Sequence, residues 1–397
     1  MKQDDNSTRY LQQYDDMYVL KYYPAIAFVA VCMLVGVVGN LLVCYVYLCK
    51  FKPSTTRCFI VTLAVLDILN CSLSMSLKIV HMRYHATFGL SNLCRLSTIT
   101  VTLFSLASAG ILVPVAVDRY LKICKPFVRQ MTIFHAKVSC WAACTGALVL
   151  TIPPAIIHGP THHPLPEVNA TFCYLTDGEG GTLPHVIYST VQTLLFVWTA
   201  GTLFIMYTCI WCRLYKQKRA LLQRTIACTL NSSKDNSTGR YPRSTDGTVA
   251  ISSNVNGTTM NETSSISQPD KHSYDPEKDP CRLNGERAQR VPTSSSGSGV
   301  PIGCVNGTMT SYQQNAVKKM TLMLFLISLI FFLSFLPYLI ITVYLSINMS
   351  FAERVTVIPS TCVIIFERSY FIQSAFNPFI YSFCSVNFRR KLKKICR

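Results

Sequence analysis

The chain has 397 residues, of which 50% are hydrophobic and only 14% are charged. Soluble domains carry about 25% charged residues, so this composition excludes a soluble enzyme of several domains. The formal net charge is +18. In a soluble chain that excess would favour a nucleic-acid partner, but the basic residues here lie between and after long apolar segments. A membrane surface therefore explains the charge, and no nucleic-acid partner is expected.

Seven segments are long and apolar enough to cross a membrane, because about 20 helical residues span a hydrocarbon core of about 30 Å. Within hydrocarbon each segment must satisfy its own backbone hydrogen bonds, so each is predicted to be a helix. We number these predicted spans 1 to 7, at about 24–48, 59–81, 95–117, 138–158, 185–212, 320–345 and 357–383. The predicted fold class is an all-α membrane protein built as a seven-transmembrane helix bundle.

Basic residues gather in the turns after spans 1 and 3 and in the carboxyl-terminal segment, and such residues favour the cytosolic side of a membrane. The sequence therefore predicts an extracellular amino-terminal tail over 1–23, with spans 1 to 5 within 24–213. Spans 6 and 7 lie within 318–385, and residues 386–397 are placed in the cytosol.

The loop over 214–317 differs in composition from the rest of the chain, because Ser, Thr, Asn, Gly and Pro dominate it. Such a segment cannot bury enough apolar surface to offset its ordering entropy, so a disordered cytosolic loop is predicted. Two interpretations of its role stay open, a plain tether and a regulatory segment that is phosphorylated.

Most of the 18 cysteines fall inside the predicted spans, where they act as small apolar residues. Cys94 and Cys173 lie on the oxidising outer side and away from lipid, so a disulfide bond between them is predicted. Cys396 follows a basic amphipathic segment, where a palmitoyl chain and a free thiol are equally open interpretations. Asn6 and Asn169 head outer sequons and are predicted glycosylation sites.

Several polar residues lie inside the predicted spans, where ionisable groups are costly and usually functional. Asp67, Ser108 and Asn377 fall at similar depth in three spans, with Asn40 in a fourth. Their oxygens suit a hard cation such as sodium, with Asp67 supplying the negative charge. A hydrogen-bond network without an ion is the equally open alternative, and no other cofactor is expected.

The intramembrane motifs occur in a fixed order along the chain. They are Gly39-Asn40 in span 1, LAxxD ending at Asp67 in span 2, Asp118-Arg119-Tyr120 closing span 3, Trp141 in span 4, Phe335-Leu336-Pro337 in span 6 and Asn377-Pro378 through Tyr381 in span 7. In this order and spacing they resemble the rhodopsin-like (class A) G-protein-coupled receptors across all seven spans. Phe388 stands at the position of that family's short amphipathic eighth helix.

This resemblance implies a receptor that transmits an extracellular signal to a heterotrimeric G protein at the plasma membrane. It also implies arrestin and receptor kinases as further partners, within surrounding membrane lipid. The residues that the resemblance implies in activation and coupling are Asp118, Arg119, Tyr120, Tyr207, Phe331, Phe335, Pro337, Asn377, Pro378 and Tyr381.

One position at the inner end of span 6 departs from the family pattern. Many members carry an acidic residue there, which pairs with the arginine of span 3. This chain has Val317 at that position, followed by Lys318 and Lys319. Because this chain has no acidic residue there to stabilise the inactive state, we hypothesise appreciable signalling without ligand.

The resemblance also narrows the class of ligand. Val101 stands where amine receptors have aspartate, so monoamines are disfavoured; Phe371 stands where opsins have the retinal lysine, so a Schiff-base chromophore is excluded. A neuropeptide is the favoured ligand, with a lipid or a small polar metabolite as alternatives. The predicted pocket residues are Lys78, Val101, Ser105, Gln192, Phe335, Tyr338, Glu367 and Phe371.

Two charged members of that pocket are expected at similar height in neighbouring helices. We expect Lys78 and Glu367 either to lie within ion-pair distance or both to contact ligand. A closed ion pair without a role in ligand binding is the alternative.

Other classes of function stay open. A seven-span transporter or channel would also carry intramembrane charge, although the repeated halves common in such proteins are not found in this sequence. A receptor-like scaffold that does not couple is a further alternative, against which the intact motifs at Arg119 and Tyr381 argue. No HExxH, GxSxG or P-loop motif occurs, so an enzyme is not expected.

Overall fold

The computed structural model describes residues 2–84, 91–164, 169–175, 183–235, 311–348 and 360–394. The chain divides into two compact units. One comprises 1–225 and 309–397 and contains the helical bundle; the other comprises 226–308, of which 226–235 is described and is helical. Six helices in the described parts are long and apolar enough to cross a membrane, at Arg9–Lys50, Thr55–Arg83, Asn92–Cys124, Ile133–Ile157, Val186–Ala227 and Val317–Tyr344. They correspond to spans 1 to 6.

Span 1 belongs to a single helix, Lys2–Lys50, so the segment predicted as a tail over 1–23 is helical from Lys2 onward. At 1.5 Å per residue this helix is about 73 Å long, more than twice the thickness of a hydrocarbon core. Its buried face repeats every three or four residues, as a helix requires. That face includes Tyr18, Tyr22, Ala25, Val29 and Cys32. The helix extends beyond the predicted span because its apolar face does.

Span 2 changes its helical geometry partway along. The first segment of span 2 is the α-helix Thr55–Leu69. Ser54 caps it by accepting a hydrogen bond from the backbone N–H of Arg57 at 3.2 Å. A π-helical turn follows over Asn70–Met75, and an α-helix resumes over Ser76–Arg83. Because a π-turn closes its hydrogen bonds over five residues instead of four, it shifts the face that later residues present.

Spans 3 and 4 are helical over most of their predicted length. Span 3 is the helix Ser91–Cys124, which is longer than predicted at both ends. Span 4 consists of Ile133–Leu150 and a short helix, Ile152–Ile157. Two prolines in the first turn of the short helix need no backbone N–H donor there, which fits a helix start.

A two-stranded antiparallel hairpin follows span 4. Its strands are His158–Pro164 and Asn169–Leu175, and Pro160 lies opposite Cys173. The sequence did not predict these strands, because Gly and Pro are depleted from strands and the first strand contains both. The hairpin is an addition to a fold that otherwise has the predicted helical class in the described residues.

The helices of spans 5 and 6 continue well beyond the predicted membrane boundaries. They are Leu183–Asp235 and Ser311–Asn348. The prediction of a disordered loop over 214–317 is therefore wrong at both of its ends, and its central part, 236–310, lies outside the described residues.

The inner extension of span 5 has a composition that favours helix. The sequence KQKRALLQR consists of residues with high helix propensity, and no proline interrupts it. The guanidinium of Arg219 also lies 4.7 Å from the ring centroid of Tyr215, one turn earlier. The disordered loop over 214–317 was predicted from the polar composition of the whole segment, which does not reflect the helix propensity of this short part.

Span 7 is divided, although a continuous helix was predicted over 357–383. It consists of the helix Thr361–Phe366, a 3-10 turn at Ser369–Phe371 and the helix Ile372–Cys384. Residues 357–359 lie outside the described part of the chain. Span 7 therefore enters the bundle in two helical pieces.

The interruption in span 7 falls at Glu367 and Arg368. The backbone N–H of Arg368 donates to the carbonyl of Ile365 at 3.0 Å, so the carbonyl of Ile364 loses its usual helical partner. Nη1 of the Arg368 side chain donates to that Ile364 carbonyl at 2.8 Å. A side chain therefore replaces the missing backbone hydrogen bond.

The short helix Val386–Lys393 corresponds to the predicted eighth helix. Ser385 caps it by accepting from the backbone N–H of Phe388 at 3.2 Å. Phe388 is fully buried, and its ring centroid lies 5.8 Å from that of Tyr47 in span 1. The apolar anchor and the basic outer face make this helix amphipathic, as predicted.

Candidate functional site

A polar network joins spans 1, 2 and 7 at the middle of the bundle. Asn377 donates to the carboxylate of Asp67 at 2.7 Å. Asn40 donates to the backbone carbonyl of Ser374 at 2.8 Å, and Asn70 donates to the hydroxyl of Ser374 at 3.1 Å. The structure thus brings together three of the four polar residues predicted at this depth, and it adds Asn70 and Ser374.

Several oxygens of this network are buried without a hydrogen-bond partner in the described residues. They are Oδ1 of Asn40, Asp67, Asn70 and Asn377, with Oγ of Ser74. Buried acceptors of this kind are costly unless a donor or a cation compensates them. Their chemistry fits a hard monovalent cation, and Asp67 carries the necessary charge. Ser108 is buried in span 3, but no hydrogen bond joins it to Asp67 or Asn377 in the described parts.

At the predicted inner end of span 3, Arg119 is buried and hydrogen-bonded to neighbouring side chains, which we call the closed arrangement. Nε of Arg119 donates to the carboxylate of Asp118 at 3.1 Å, and Nη2 donates to the same carboxylate and to the hydroxyl of Thr56 in span 2. Arg119 is 6% exposed and Asp118 is 1% exposed, so the pair is withdrawn from solvent. Within the described residues, Arg119 has no ion pair to an acid of span 6, and Val317 there is half-buried.

Lys122 adds a second cation to the same carboxylate. Its ammonium lies 2.9 Å from Asp118, four residues earlier on the helix, and donates to the hydroxyl of Thr55 at 2.6 Å. Thr55, Thr56 and Lys122 were not predicted from the sequence as parts of this site. The spacing of Lys122 could have predicted its role, because it lies one helical turn after Asp118 and residues four apart can form an ion pair.

The other predicted activation residues lie in the core of the bundle. The hydroxyls of Tyr207 and Ser328 are 3.4 Å apart and join spans 5 and 6. Phe331 and Phe335 stack with ring centroids 4.6 Å apart. Tyr381 is fully buried, and Tyr120 is half-buried.

Pro337 and Pro378 lie inside helices, as predicted. Pro378 also sets the contact between spans 1 and 7. A Cβ atom added at Gly39 would lie 2.6 Å from Cγ of Pro378, so this contact needs glycine.

The outer half of the bundle contains an aromatic cluster that joins three predicted pocket residues. Tyr370, which the sequence did not single out, lies at its centre. Its ring centroid is 5.8 Å from Phe335, 5.2 Å from Tyr338 and 4.4 Å from Phe371. Phe371 is fully buried in this arrangement.

Three other predicted pocket residues are not joined to that cluster by any described contact. Val101 and Ser105 lie on span 3, half-buried and buried respectively, and Gln192 on span 5 is half-buried. Their place in a ligand pocket stays a prediction.

Of the two predicted alternatives for Lys78 and Glu367, the ion pair between them is wrong, and contact of both residues with a ligand stays a prediction. Glu367 pairs with Arg368, the next residue, with 2.8 Å between its Oε2 and Nη1. Lys78 lies within electrostatic range of both residues but forms no ion pair with Glu367 in the described part of the chain. The pairing differs because the interruption of span 7 turns Arg368 back onto its own helix.

Comparison with known proteins identifies the family. The family described as 7 transmembrane receptor (rhodopsin family) matches residues 39–381, which include all the motifs above. This chain belongs to the rhodopsin family of seven-transmembrane receptors. It is therefore a multi-pass membrane protein, and the divided span 7 completes the seven crossings.

Individual relatives match a shorter part of this receptor. The C5a anaphylatoxin chemotactic receptor 1 of Gorilla gorilla gorilla is 28% identical over 207 residues, 51% of this chain and 58% of that protein. The Type-1 angiotensin II receptor B of Mus musculus is 31% identical over 193 residues, 47% of this chain and 53% of that protein. The match thus spans little more than half the length of these relatives.

The outer disulfide bond of the receptor joins Cys94 to Cys173, as predicted, with 5.5 Å between their Cα atoms. It links the start of span 3 to the second strand of the hairpin. The predicted modification sites are less well defined. Asn6 lies in the first helix and Asn169 begins the second strand, but their side chains are outside the described set, as is the whole of Cys396.

Proposed function

We propose that this receptor couples to a heterotrimeric G protein through the inner end of span 3. The buried Arg119, held by Asp118 and Thr56, is the observation that carries the proposal. A guanidinium in a closed arrangement is available to a partner only after neighbouring helices separate. Its release would therefore couple the opening of the inner face to G-protein binding.

The energy needed for such a switch is within reach of a ligand. Shifting a two-state receptor from 1:99 to 99:1 requires about 5.5 kcal/mol of differential affinity. A G protein that binds the open form adds to that bias and raises agonist affinity by the same coupling free energy. A few desolvated charged or aromatic contacts in the outer half supply an energy of this order.

The proposed ligand is a peptide, and within that class a neuropeptide. The names of the two relatives refer to C5a and to angiotensin II as their ligands. The charged group at Glu367 and Arg368, beside the aromatic cluster, offers both polar and apolar contacts in the predicted pocket. A lipid or a small polar metabolite is the alternative ligand class.

We place the receptor in the plasma membrane with its amino end outside, on the distribution of basic residues. Glycans at Asn6 and Asn169 and a palmitoyl chain at Cys396 belong to this proposal. Arrestin and receptor kinases are the further cytosolic partners. The long loop between spans 5 and 6 contains many serine and threonine residues that such kinases would modify.

We also propose sodium as an allosteric ligand of the polar network. Asp67, Asn377 and the buried Oδ1 atoms of Asn40 and Asn70 would hold it, with Ser108 contributing from span 3. A cation bound between spans 1, 2 and 7 would compensate acceptors that have no donor.

The coupling proposal is tested by nucleotide exchange with purified components. Full-length receptor in nanodiscs is mixed with each class of heterotrimer, and GTPγS uptake is measured without ligand and with a synthetic peptide library. We expect the wild type to raise uptake and Arg119→Ala to abolish the increase. Arg129→Ala is the matched control, because Arg129 is exposed in the loop after span 3. Uptake equal to that of empty nanodiscs with every heterotrimer would overturn the proposal.

A further inference from the structure

Two cations and one carboxylate lie in the outer half of spans 2 and 7, and one of the cations also contacts span 1. Arg368 pairs with Glu367 at 2.8 Å, and its guanidinium carbon lies 5.8 Å from the ring centroid of Tyr22 in span 1. Lys78 in span 2 lies within electrostatic range of both charged residues of span 7. We call Lys78, Glu367 and Arg368 the outer charge cluster. It carries one positive charge in excess.

The guanidinium of Arg368 is buried and incompletely paired. The side chain is 7% exposed, and Nη1 donates to Glu367 and to the carbonyl of Ile364, each at 2.8 Å. Its Nε is fully buried and has no hydrogen-bond partner in the described residues. A buried donor on a charged group is costly when it is left unpaired, so the cluster offers a place for a further acceptor.

Lys78 is the second unpaired donor of the cluster. The described residues give its ammonium neither a hydrogen bond nor an ion pair, although Lys78 is half-buried. Stabilisation of the broken helix explains Nη1 of Arg368, but it explains neither the unpaired Nε nor a lysine from another span. These two features leave two cationic groups available to an anion.

We propose that the outer charge cluster is a carboxylate-binding subsite, in which Lys78 and Arg368 hold an acid group of the ligand and Glu367 limits its affinity. Hydrogen bonds between guanidinium or ammonium donors and a carboxylate are charge-assisted and are stronger than neutral ones. The inference rests on the proposed receptor function and names the chemistry of its ligand. The cations and not the acid of the cluster define this chemistry, because Glu367 is already paired with Arg368.

The surroundings of the cluster define the rest of the ligand group. The guanidinium carbon of Arg368 lies 5.8 Å from the ring centroid of Tyr22 in span 1. An apolar group next to a carboxylate bound at Arg368 would therefore lie near an aromatic ring. A peptide carboxyl terminus with an apolar last residue and a medium-chain fatty acid share this chemistry.

The experiment measures binding of defined acids to full-length receptor in nanodiscs. One pair of probes is N-acetyl-L-phenylalanine and its amide, which represent a peptide terminus with and without charge. A second pair is octanoate and octanamide, which represent a fatty acid. Each probe is titrated while the unfolding midpoint is followed, and sodium chloride equalises the sodium concentration in all samples. The dissociation constant follows from the shift in midpoint.

We expect at least one acid to stabilise the wild type and its amide to have little effect. The pair with the larger difference indicates the source of the carboxylate. In Lys78→Met the dissociation constant of that acid should rise about tenfold, since one charge-assisted hydrogen bond is lost. Lys21→Met is the matched control, because Lys21 is an exposed lysine of the first helix, and it should leave the constant unchanged.

Glu367→Gln should change the dissociation constant of the acid in the opposite direction. Removal of the only acid in the cluster raises its excess charge, so the dissociation constant should fall about threefold. A purely structural role for Glu367 would not tighten acid binding. Arg368→Met is compared with Arg95→Met, which alters an exposed arginine at the start of span 3. If Arg368→Met does not fold, the variants of Lys78 and Glu367 still decide the question.

Equal stabilisation by acid and amide, no stabilisation by either acid, or unchanged binding in Lys78→Met would overturn the subsite. None of these measurements requires a G protein. A receptor that binds acids through Lys78 but never promotes nucleotide exchange would retain the subsite and remove the proposed function. A receptor that couples but does not distinguish acid from amide would do the reverse.

Discussion

The ammonium of Lys122 lies 2.9 Å from the carboxylate of Asp118, the same carboxylate that holds Arg119. One buried acid therefore serves two cations at the inner end of span 3. Because Asp118 is shared, its hold on Arg119 is weaker than that of an exclusive pair. This sharing and the valine at position 317 act in the same direction, toward an inner face that opens easily.

Replacement of Lys122 by methionine should lower signalling in the absence of ligand. Asp118 would then pair with Arg119 alone and would favour the closed arrangement by about 0.5 to 1 kcal/mol, since Lys122 is one-third exposed. Second-messenger output should fall about two- to fivefold at equal surface expression. Lys122→Arg keeps the charge and should stay near the wild-type level. A rise in output for the methionine variant would contradict this account.

Thr56→Val should act in the opposite direction. Valine keeps the shape of threonine but cannot accept the hydrogen bond from Nη2 of Arg119. Loss of an acceptor for a buried charged donor costs about 1 to 3 kcal/mol, so agonist-free output should rise at least fivefold. Thr62→Val serves as control, since Thr62 lies in the same helix and donates to the carbonyl of Cys58 at 2.9 Å, and it has no hydrogen bond to Arg119 in the described residues. Equal output from both variants would argue against a restraint on Arg119 by span 2.

Sodium should stabilise the wild-type receptor against heat. A cation bound only by the folded state raises the unfolding midpoint with concentration, and N-methyl-D-glucamine chloride provides the same ionic strength without sodium. Asp67→Asn should remove the dependence, because it removes the charge and leaves the neutral oxygens. If the midpoint of the wild type is the same in both salts, the network contains no sodium site.

Gly39→Ala should destabilise the bundle. Its new methyl group would lie 2.6 Å from Cγ of Pro378, and overpacking of this kind costs about 1 to 3 kcal/mol. Gly146→Ala is a control of the same chemistry, since no atom lies within 4 Å of the added Cβ in span 4. That variant should instead be neutral or slightly stabilising, because alanine favours helix. Thermal unfolding in nanodiscs separates the two, and similar midpoints would contradict the close contact of spans 1 and 7.

Much of the fold followed from the sequence because lipid restricts what a chain can do. A run of apolar residues at membrane depth has few choices besides helix, so the existence of the spans was predictable. The pairing of Cys94 with Cys173 was predictable because both lie on the oxidising outer side and away from lipid. Helix ends outside the lipid were not, because hydropathy marks the membrane and does not mark the end of a helix. The extensions to Lys2 and Asp235 show this difference.

The candidate site was predictable where depth alone brings residues together. Asp67 and Asn377 meet because both lie at the middle of their spans. The pairing at Glu367 failed because it depends on the direction of a side chain after a break in the helix. No periodicity in the sequence records that Arg368 turns back to the carbonyl of Ile364.

The break in span 7 also bears on amide hydrogen exchange. Around Arg368 the backbone is held by bonds of the shorter 3-10 type, at 3.0 Å to Ile365 and 3.2 Å from Phe371. Such bonds have poorer geometry than those of an α-helix, so the turn should open at lower energy than the helices on either side. Deuterium should therefore enter this receptor within the outer half of span 7, and an acid that occupies the outer charge cluster should slow its entry there.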